Sequence, residues 1–250
     1  MLIHAGGYRG GSYYDPQELL DAAADLNAAG YIVFSVDHRL APEGLIRKQP
    51  PHSDPLSGRP PQQTNDIKQQ ILAAKHDPQC NGTVFVIGGS SGGAHALWSA
   101  LDLADTTNNG WGLSELPKAV VGLSGSYALS SRDGDPIIVS HFVDVVINYT
   151  NTTNRGAGDP VQYAASPISR IALIPASNIP PMRLYNSDAE QIPFQQMNEF
   201  TAALFSHGFF NYITRTLGGS LHAFQYWHTE ISPGLTVGAD VIAFLNAHLP

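Results

Sequence analysis

Residues 83–95 read TVFVIGGSSGGAH, and few folds accommodate such a stretch. A β-branched, apolar run from Thr83 to Ile87 stops at Gly88-Gly89, and a helical pattern (Ala94, Ala96, Leu97, Ala100, Leu101) follows at once. A strand that becomes a helix across a few glycines and serines needs a turn that admits only small side chains. Gly89-Ser90-Ser91-Gly92-Gly93 matches G-x-S-x-G, and that frame selects Ser91 over its neighbour Ser90. Strand, G-x-S-x-G and helix together form the layout of a nucleophile elbow, which lifts a hydroxyl above the sheet. The following helix then aims free N–H groups at any developing anion. A plain Gly-rich turn, or one that cradles a phosphate, has the same letters. The elements before and after must therefore decide.

Short apolar runs alternate with helical patterns along the rest of the chain. Leu2-Ile3 ends a strand. Asp15-Pro16-Gln17-Glu18 opens a helix with Asp at the cap, and Gly30 closes it. Tyr31–Val36 reads as a buried strand and 37–63 as a long Pro- and Gln-rich loop. Ile67, Ile71 and Ala74 mark the next helix. Ala119–Leu123, Pro181–Tyr185 and Tyr212–Leu217 read as strands. Helices are expected from Asp135-Pro136 to about Ile147, over Pro193–His207 and over Leu235–His248. This alternation predicts an α/β fold, a three-layer sandwich with a mostly parallel sheet covered on both faces. No repeat or composition break divides the chain. Residues 1–250 are expected as one domain, with 124–180 inserted over the active-site edge as a partial lid.

Composition narrows the partners. The net charge of −8, with no Lys/Arg run, argues against nucleic acid. No window approaches the length of an apolar membrane span. Cys80 is the one cysteine, so no internal disulfide forms; it reads as a surface-loop thiol without companion metal ligands. The start, MLIHAGG, lacks the basic and apolar regions of a signal peptide, whereas Asn81, Asn148 and Asn151 open N-x-S/T sequons. Secreted and cytoplasmic locations both stay open.

Open parallel sheets build sites at the carboxyl ends of their strands. Four segments fall there: His4-Ala5-Gly6-Gly7-Tyr8, Ser91, Asn186-Ser187-Asp188-Ala189-Glu190, and Gly218-Gly219-Ser220-Leu221-His222. Their order is glycine loop, serine, acid, histidine, which is the order of an acyl-transfer triad behind an oxyanion loop. Tyr8, Tyr13, Tyr14, Tyr127 and Tyr163 are weaker candidates for the pocket wall.

These residues resemble the α/β-hydrolase esterase/lipase group that includes hormone-sensitive-lipase-like and feruloyl or acetyl-xylan esterases. His4-Ala5-Gly6-Gly7 is similar to the group's H-G-G-G loop, with Ala for its first Gly. Val36-Asp37-His38-Arg39-Leu40-Ala41-Pro42-Glu43 resembles V-D-Y-R-L-A-P-E, with His for Tyr. Leu123-Ser124-Gly125 matches an L-S-G strand end, and Leu221-His222-Ala223-Phe224 the H-x-F around the catalytic histidine. The group usually has about two more strands before the glycine loop, and a cap there. This chain is expected to lack both, as a fragment or as a trimmed sheet. Trimming would leave its first strand near an exposed edge, where a second copy could pair into a homodimer. The pocket roof would come from 124–180 or 44–63.

The resemblance implies a serine carboxylic-ester hydrolase acting on short-chain acyl or aryl esters, without metal or organic cofactor. Ser91 is expected as nucleophile and His222 as general base, with Gly6, Gly7 and Gly92 as backbone oxyanion donors. The group places its acid four residues before a Pro, which here is Ala189. The acid is therefore Glu190 or Asp188, with Glu190 preferred for its longer reach. His4 is expected to shape the loop, and His228 to pack among aromatics. Asp37 and Arg39 are expected to pair, and Asp66 to cap a helix. Amidases and arylformamidases use the same triad, and some non-catalytic ligand-binding proteins keep the scaffold.

Overall fold

In the computed structural model, which describes residues 1–42, 57–107, 111–133 and 141–250, the apolar runs pair into one sheet. Its strands are β1 (Leu2–Ile3), β2 (Ser35–Val36), β3 (Phe85–Gly89), β4 (Ala119–Leu123), β5 (Met182–Ser187) and β6 (Tyr212–Leu217). The order is β2-β1-β3-β4-β5-β6, and every pairing is parallel. A separate antiparallel ribbon joins β7 (Glu230–Ser232) to β8 (Leu235–Thr236).

The strands read as continuous apolar runs because helices cover both faces. Alternate residues point to opposite sides. Ile3, Val86, Val120 and Leu184 share one core with Ile67 and Ile71 of α2 (Gln62–Lys75), Leu97 and Leu101 of α3 (Ser91–Ala104), and Met197 and Phe200 of α7 (Gln195–Ser206). Leu2, Phe85, Ile87, Val121 and Tyr185 share the other with Leu19 and Leu26 of α1 (Gln17–Ala28) and Val241 and Phe244 of α8 (Val237–Asn246). Three layers result, as expected. Between β4 and β5 lie α4 (His141–Thr150), α5 (Pro160–Ala164) and α6 (Ile168–Ile171).

Several local expectations change. Only Ser35–Val36 of the predicted Tyr31–Val36 strand is laddered, because its sole strand neighbour, β1, offers two residues. Among the described residues β2 and β6 are the edge strands, and β1 lies one strand inside β2. Helix α1 begins after Pro16 without a side-chain cap. Asp66 lies inside α2 rather than at its start, and the Arg39 guanidinium donates to it at 2.7 and 2.8 Å. Asp37, expected to pair with Arg39, accepts instead from the Tyr13 backbone N–H. Residues 43–56 and 134–140 lie outside the described residues, and with them Glu43, most of the predicted 37–63 loop and the predicted helix start at Asp135-Pro136.

Candidate active site

The sheet order reverses at β1: the chain crosses to β2 on one side and to β3 on the other. The carboxyl ends of β1 and β3 thus flank a topological switch point, where open α/β sheets leave a crevice. Ile3 lies opposite Gly88 in the ladder, which sets the His4–Gly7 loop beside the turn that leaves β3.

That turn places its strained residue one position before Ser91. Ser90 adopts φ 54°, ψ −121°, a strained conformation for a residue with a side chain, and Ser91 is already the first residue of α3. The glycine spacing agrees. A Cβ on Gly88 would lie 2.0 Å from the Gly92 carbonyl oxygen, and one on Gly92 would lie 2.4 Å from that of His4. Gly88 and Gly92 flank Ser90 at two residues on either side. The six letters GGSSGG hold two overlapping G-x-S-x-G frames, and the strained residue is the centre of the first. The Ser91 hydroxyl is buried and has no partner among the described residues. The N–H that follows the strained residue is that of Ser91. The Gly92 Cα packs against the end of β1.

The glycine loop after β1 is tightly folded. Gly6, Gly7 and Tyr8 all have positive φ (145°, 58° and 66°), and a Cβ on Gly6 would collide with the Gly10 carbonyl at 1.9 Å. Tyr8 is a buried anchor: its hydroxyl is hydrogen-bonded to Ser126 Oγ at 2.6 Å, and its ring stacks on Tyr149 at 3.8 Å. His4 Nδ1 donates to the Ala5 carbonyl at 2.8 Å. Its ring stacks on His38 at 4.7 Å, and His38 lies edge-on to His95 at 4.7 Å. Burial pushes the pKa of all three histidines down, that of His38 to about 4.

The acid side is equally specific. His222 Nδ1 is hydrogen-bonded to Glu190 Oε2, and the Glu190 side chain is fully buried. Glu190 Oε1 accepts from Ser124 Oγ at 2.7 Å and from the Ser187 N–H at 2.8 Å. Ser124 also accepts from the Ala223 N–H at 2.9 Å, so one hydroxyl at the end of β4 holds both the acid and the histidine loop. Asp188 is exposed and accepts from the Gly219 N–H at 2.9 Å, away from the imidazole. His228, expected to pack, is exposed and contacts Asp25 Oδ2 at 2.9 Å.

One cavity of about 220 Å³ gathers these parts. Its wall includes Gly6, Gly7, Ser90, Ser91 and His222, with Ser126, Phe142, Val145 and Ile192. His222 Nε2 has no hydrogen-bond partner among the described residues, so neither Ser90 nor Ser91 is bonded to it. Of the tyrosines weighed as pocket residues, Tyr8 lines the cavity. Tyr127 is buried in the core, and Tyr13, Tyr14 and Tyr163 are surface residues. Sequence reasoning missed Arg9, Ser126, Phe142, Val145 and Ile192 as wall residues. Only Arg9 left a signal, as a charged residue directly after the glycine loop.

The six-stranded parallel sheet, covered by helices on both faces, has the architecture of the α/β-hydrolase fold. No protein-family model and no curated protein sequence matches the chain. Solved structures do. A hormone-sensitive lipase from a metagenome library superposes with a TM-score of 0.71 at 18% identity, covering 99% of this chain and 77% of that one. Esterase B from Lactobacillus Rhamnosis gives 0.70 at 17% identity over 98% of this chain and 74% of that one. An arylesterase gives 0.67 at 20% identity over 100% and 74%. The chain therefore has the α/β-hydrolase fold of esterases and lipases.

Proposed function

We propose that this chain is a serine carboxylic-ester hydrolase acting on short-chain acyl or aryl esters, with Ser90 as its nucleophile. The observation that carries the reading is a strained elbow serine sharing one cavity with a histidine whose other ring nitrogen is held by a buried carboxylate. The Ser90 Oγ attacks the ester carbonyl while His222 Nε2 takes its proton. Nδ1–H donation to Glu190 leaves the Nε2 lone pair free for that task. The tetrahedral oxyanion is received by the Ser91 N–H, at the start of α3, and by an N–H of the Gly6–Gly7 loop. One such donor is typically worth roughly 10²–10³ in turnover. His222 then protonates the leaving alcohol, and water, activated by the same base, releases the acid from the acyl-enzyme. Catalytic Ser–His hydrogen bonds tighten in the Michaelis complex.

A cavity of about 220 Å³ with Phe142, Val145 and Ile192 on its wall favours short acyl groups. In this reading α4, from the stretch between β4 and β5, forms the partial lid. The test separates the two serine frames. Ser90→Ala is expected to abolish p-nitrophenyl acetate and butyrate hydrolysis and labelling by a fluorophosphonate probe, whereas Ser91→Ala retains both. Loss of labelling in Ser91→Ala alone would return the nucleophile to residue 91. A folded wild-type chain that neither hydrolyses esters nor takes the label would overturn the esterase reading.

A further inference from the structure

The cavity wall carries one feature that ester hydrolysis does not require. Arg9 stands on it, half-buried, directly after Tyr8. Its guanidinium makes no hydrogen bond, ion pair or ring contact among the described residues. Other arginines in this molecule find carboxylates: Arg39 pairs with Asp66, Arg155 with Asp144, Arg170 with Asp102, and Arg183 with Asp240. In a chain with net charge −8, a cation left unpaired beside the reacting groups is unusual. Among the described residues of the wall there is no carboxylate to neutralise it.

The backbone that carries it is fixed. The Arg9 N–H donates to the Gly6 carbonyl at 3.2 Å, and the Gly10 N–H to the same oxygen at 3.0 Å, so the loop closes tightly around residue 9. The preceding residue is pinned by the Tyr8 ring and hydroxyl. The guanidinium thus springs from the very loop that presents the oxyanion N–H groups. Phe142, Val145 and Ile192 supply apolar wall to the same cavity. A short hydrocarbon segment ending in an anion fits such a combination. Guanidinium suits carboxylate because two parallel N–H bonds match two oxygens.

We propose that Arg9 is a specificity-determining residue that selects esters bearing a carboxylate, on either the acyl or the alcohol side. This rests on the esterase reading above. The carboxylate binds the guanidinium in the ground state and the transition state alike, so the effect is expected mainly in KM rather than kcat.

The experiment compares two matched substrate pairs in wild type, Arg9→Gln and Arg9→Lys. Mono-p-nitrophenyl glutarate against p-nitrophenyl pentanoate probes the acyl side. p-Acetoxybenzoate against p-tolyl acetate probes the alcohol side. The quantity read is the kcat/KM ratio of anionic to neutral ester within each protein. In Arg9→Gln the ratio is expected to fall about tenfold or more in one pair, which identifies the side, while Arg9→Lys, a point charge without the paired N–H donors, keeps only part of it. Added NaCl is expected to lower the wild-type ratio, a readout that needs no substitution. Ratios that are equal in wild type and Arg9→Gln for both pairs, or that salt leaves unmoved, overturn the role of Arg9 while neutral-ester hydrolysis leaves the esterase standing. A wild-type chain that turns over none of the four esters overturns both.

Discussion

Glu190 and Asp188 sit two residues apart on one loop, yet their surroundings assign them different work. Glu190 is sealed from solvent, with one oxygen on the imidazole and the other held by Ser124 and the Ser187 N–H. Asp188 faces solvent and ties the Gly219 N–H. In the proposed mechanism, Glu190→Gln removes the charge that stabilises the imidazolium and can hold the wrong tautomer. Its kcat/KM is expected to fall by roughly 10³–10⁴. In Asp188→Asn the amide oxygen can still accept from Gly219, and activity is expected within about threefold of wild type. Steady-state kinetics on p-nitrophenyl butyrate checks this, and the reverse ranking would move the acid to Asp188.

At the scale of elements, the β3–α3 turn is held open by what surrounds it. A strained residue such as Ser90 costs about 1–3 kcal/mol, and neighbouring structure must over-determine it. Here the Ser90 N–H donates to the Leu123 carbonyl at 2.7 Å, and Gly88 meets Gly92 with no room for a methyl group. All three atoms that obstruct a Cβ at Gly88 belong to the backbone of Gly92 and Gly93, which no rotamer change can clear. Gly88→Ala is expected to destabilise the chain by about 3 kcal/mol or more in urea unfolding. Gly218→Ala, with nothing within 4 Å of its Cβ position, is expected to shift stability by no more than about 0.5 kcal/mol. Equal losses at the two sites would show that the turn does not depend on this contact. Strands β4 and β6 have the bounds that apolar periodicity predicts, because both are paired along their length. The predicted second strand shortens to two residues for lack of partners, something periodicity cannot register.

Across the whole molecule, three histidines join the glycine loop to the rest of the fold. His4 follows β1, His38 follows β2 and His95 lies in α3. Gln63 of α2 accepts from His95 at 2.9 Å and donates to the Tyr8 carbonyl at 2.8 Å, completing the cluster behind the loop. Asp37 lies 3.7 Å from His4 Nε2, and Asp15 and Asp66 also face the cluster, but burial outweighs these carboxylates. All three histidines are neutral in the folded state at neutral pH, with pKa values below the usual 6.5. The unfolded chain therefore binds more protons as pH falls below 6.5, and the fold loses stability until the folded groups also titrate, near pH 4 for His38. For His38 alone this amounts to about 3 kcal/mol. Urea unfolding between pH 7 and 4.5 is expected to show that decline, and His38→Phe to flatten it. An unchanged slope in the variant would remove His38 from the acid response.

The alternating runs, the glycine-rich turns and the order of loop, serine, acid and histidine are local properties, and they were enough to determine the three-layer α/β fold and the segments that line its crevice. Two matters were left to tertiary structure. GGSSGG holds two equivalent frames, and only the register of β1 against β3, with the backbone contact between Gly88 and Gly92, places the strained turn at Ser90 rather than Ser91. Likewise, the letters around Arg9 show a charge but not its company. Whether a charge is paired depends on which segments the fold brings near it, and here none of the described ones carries a carboxylate to it.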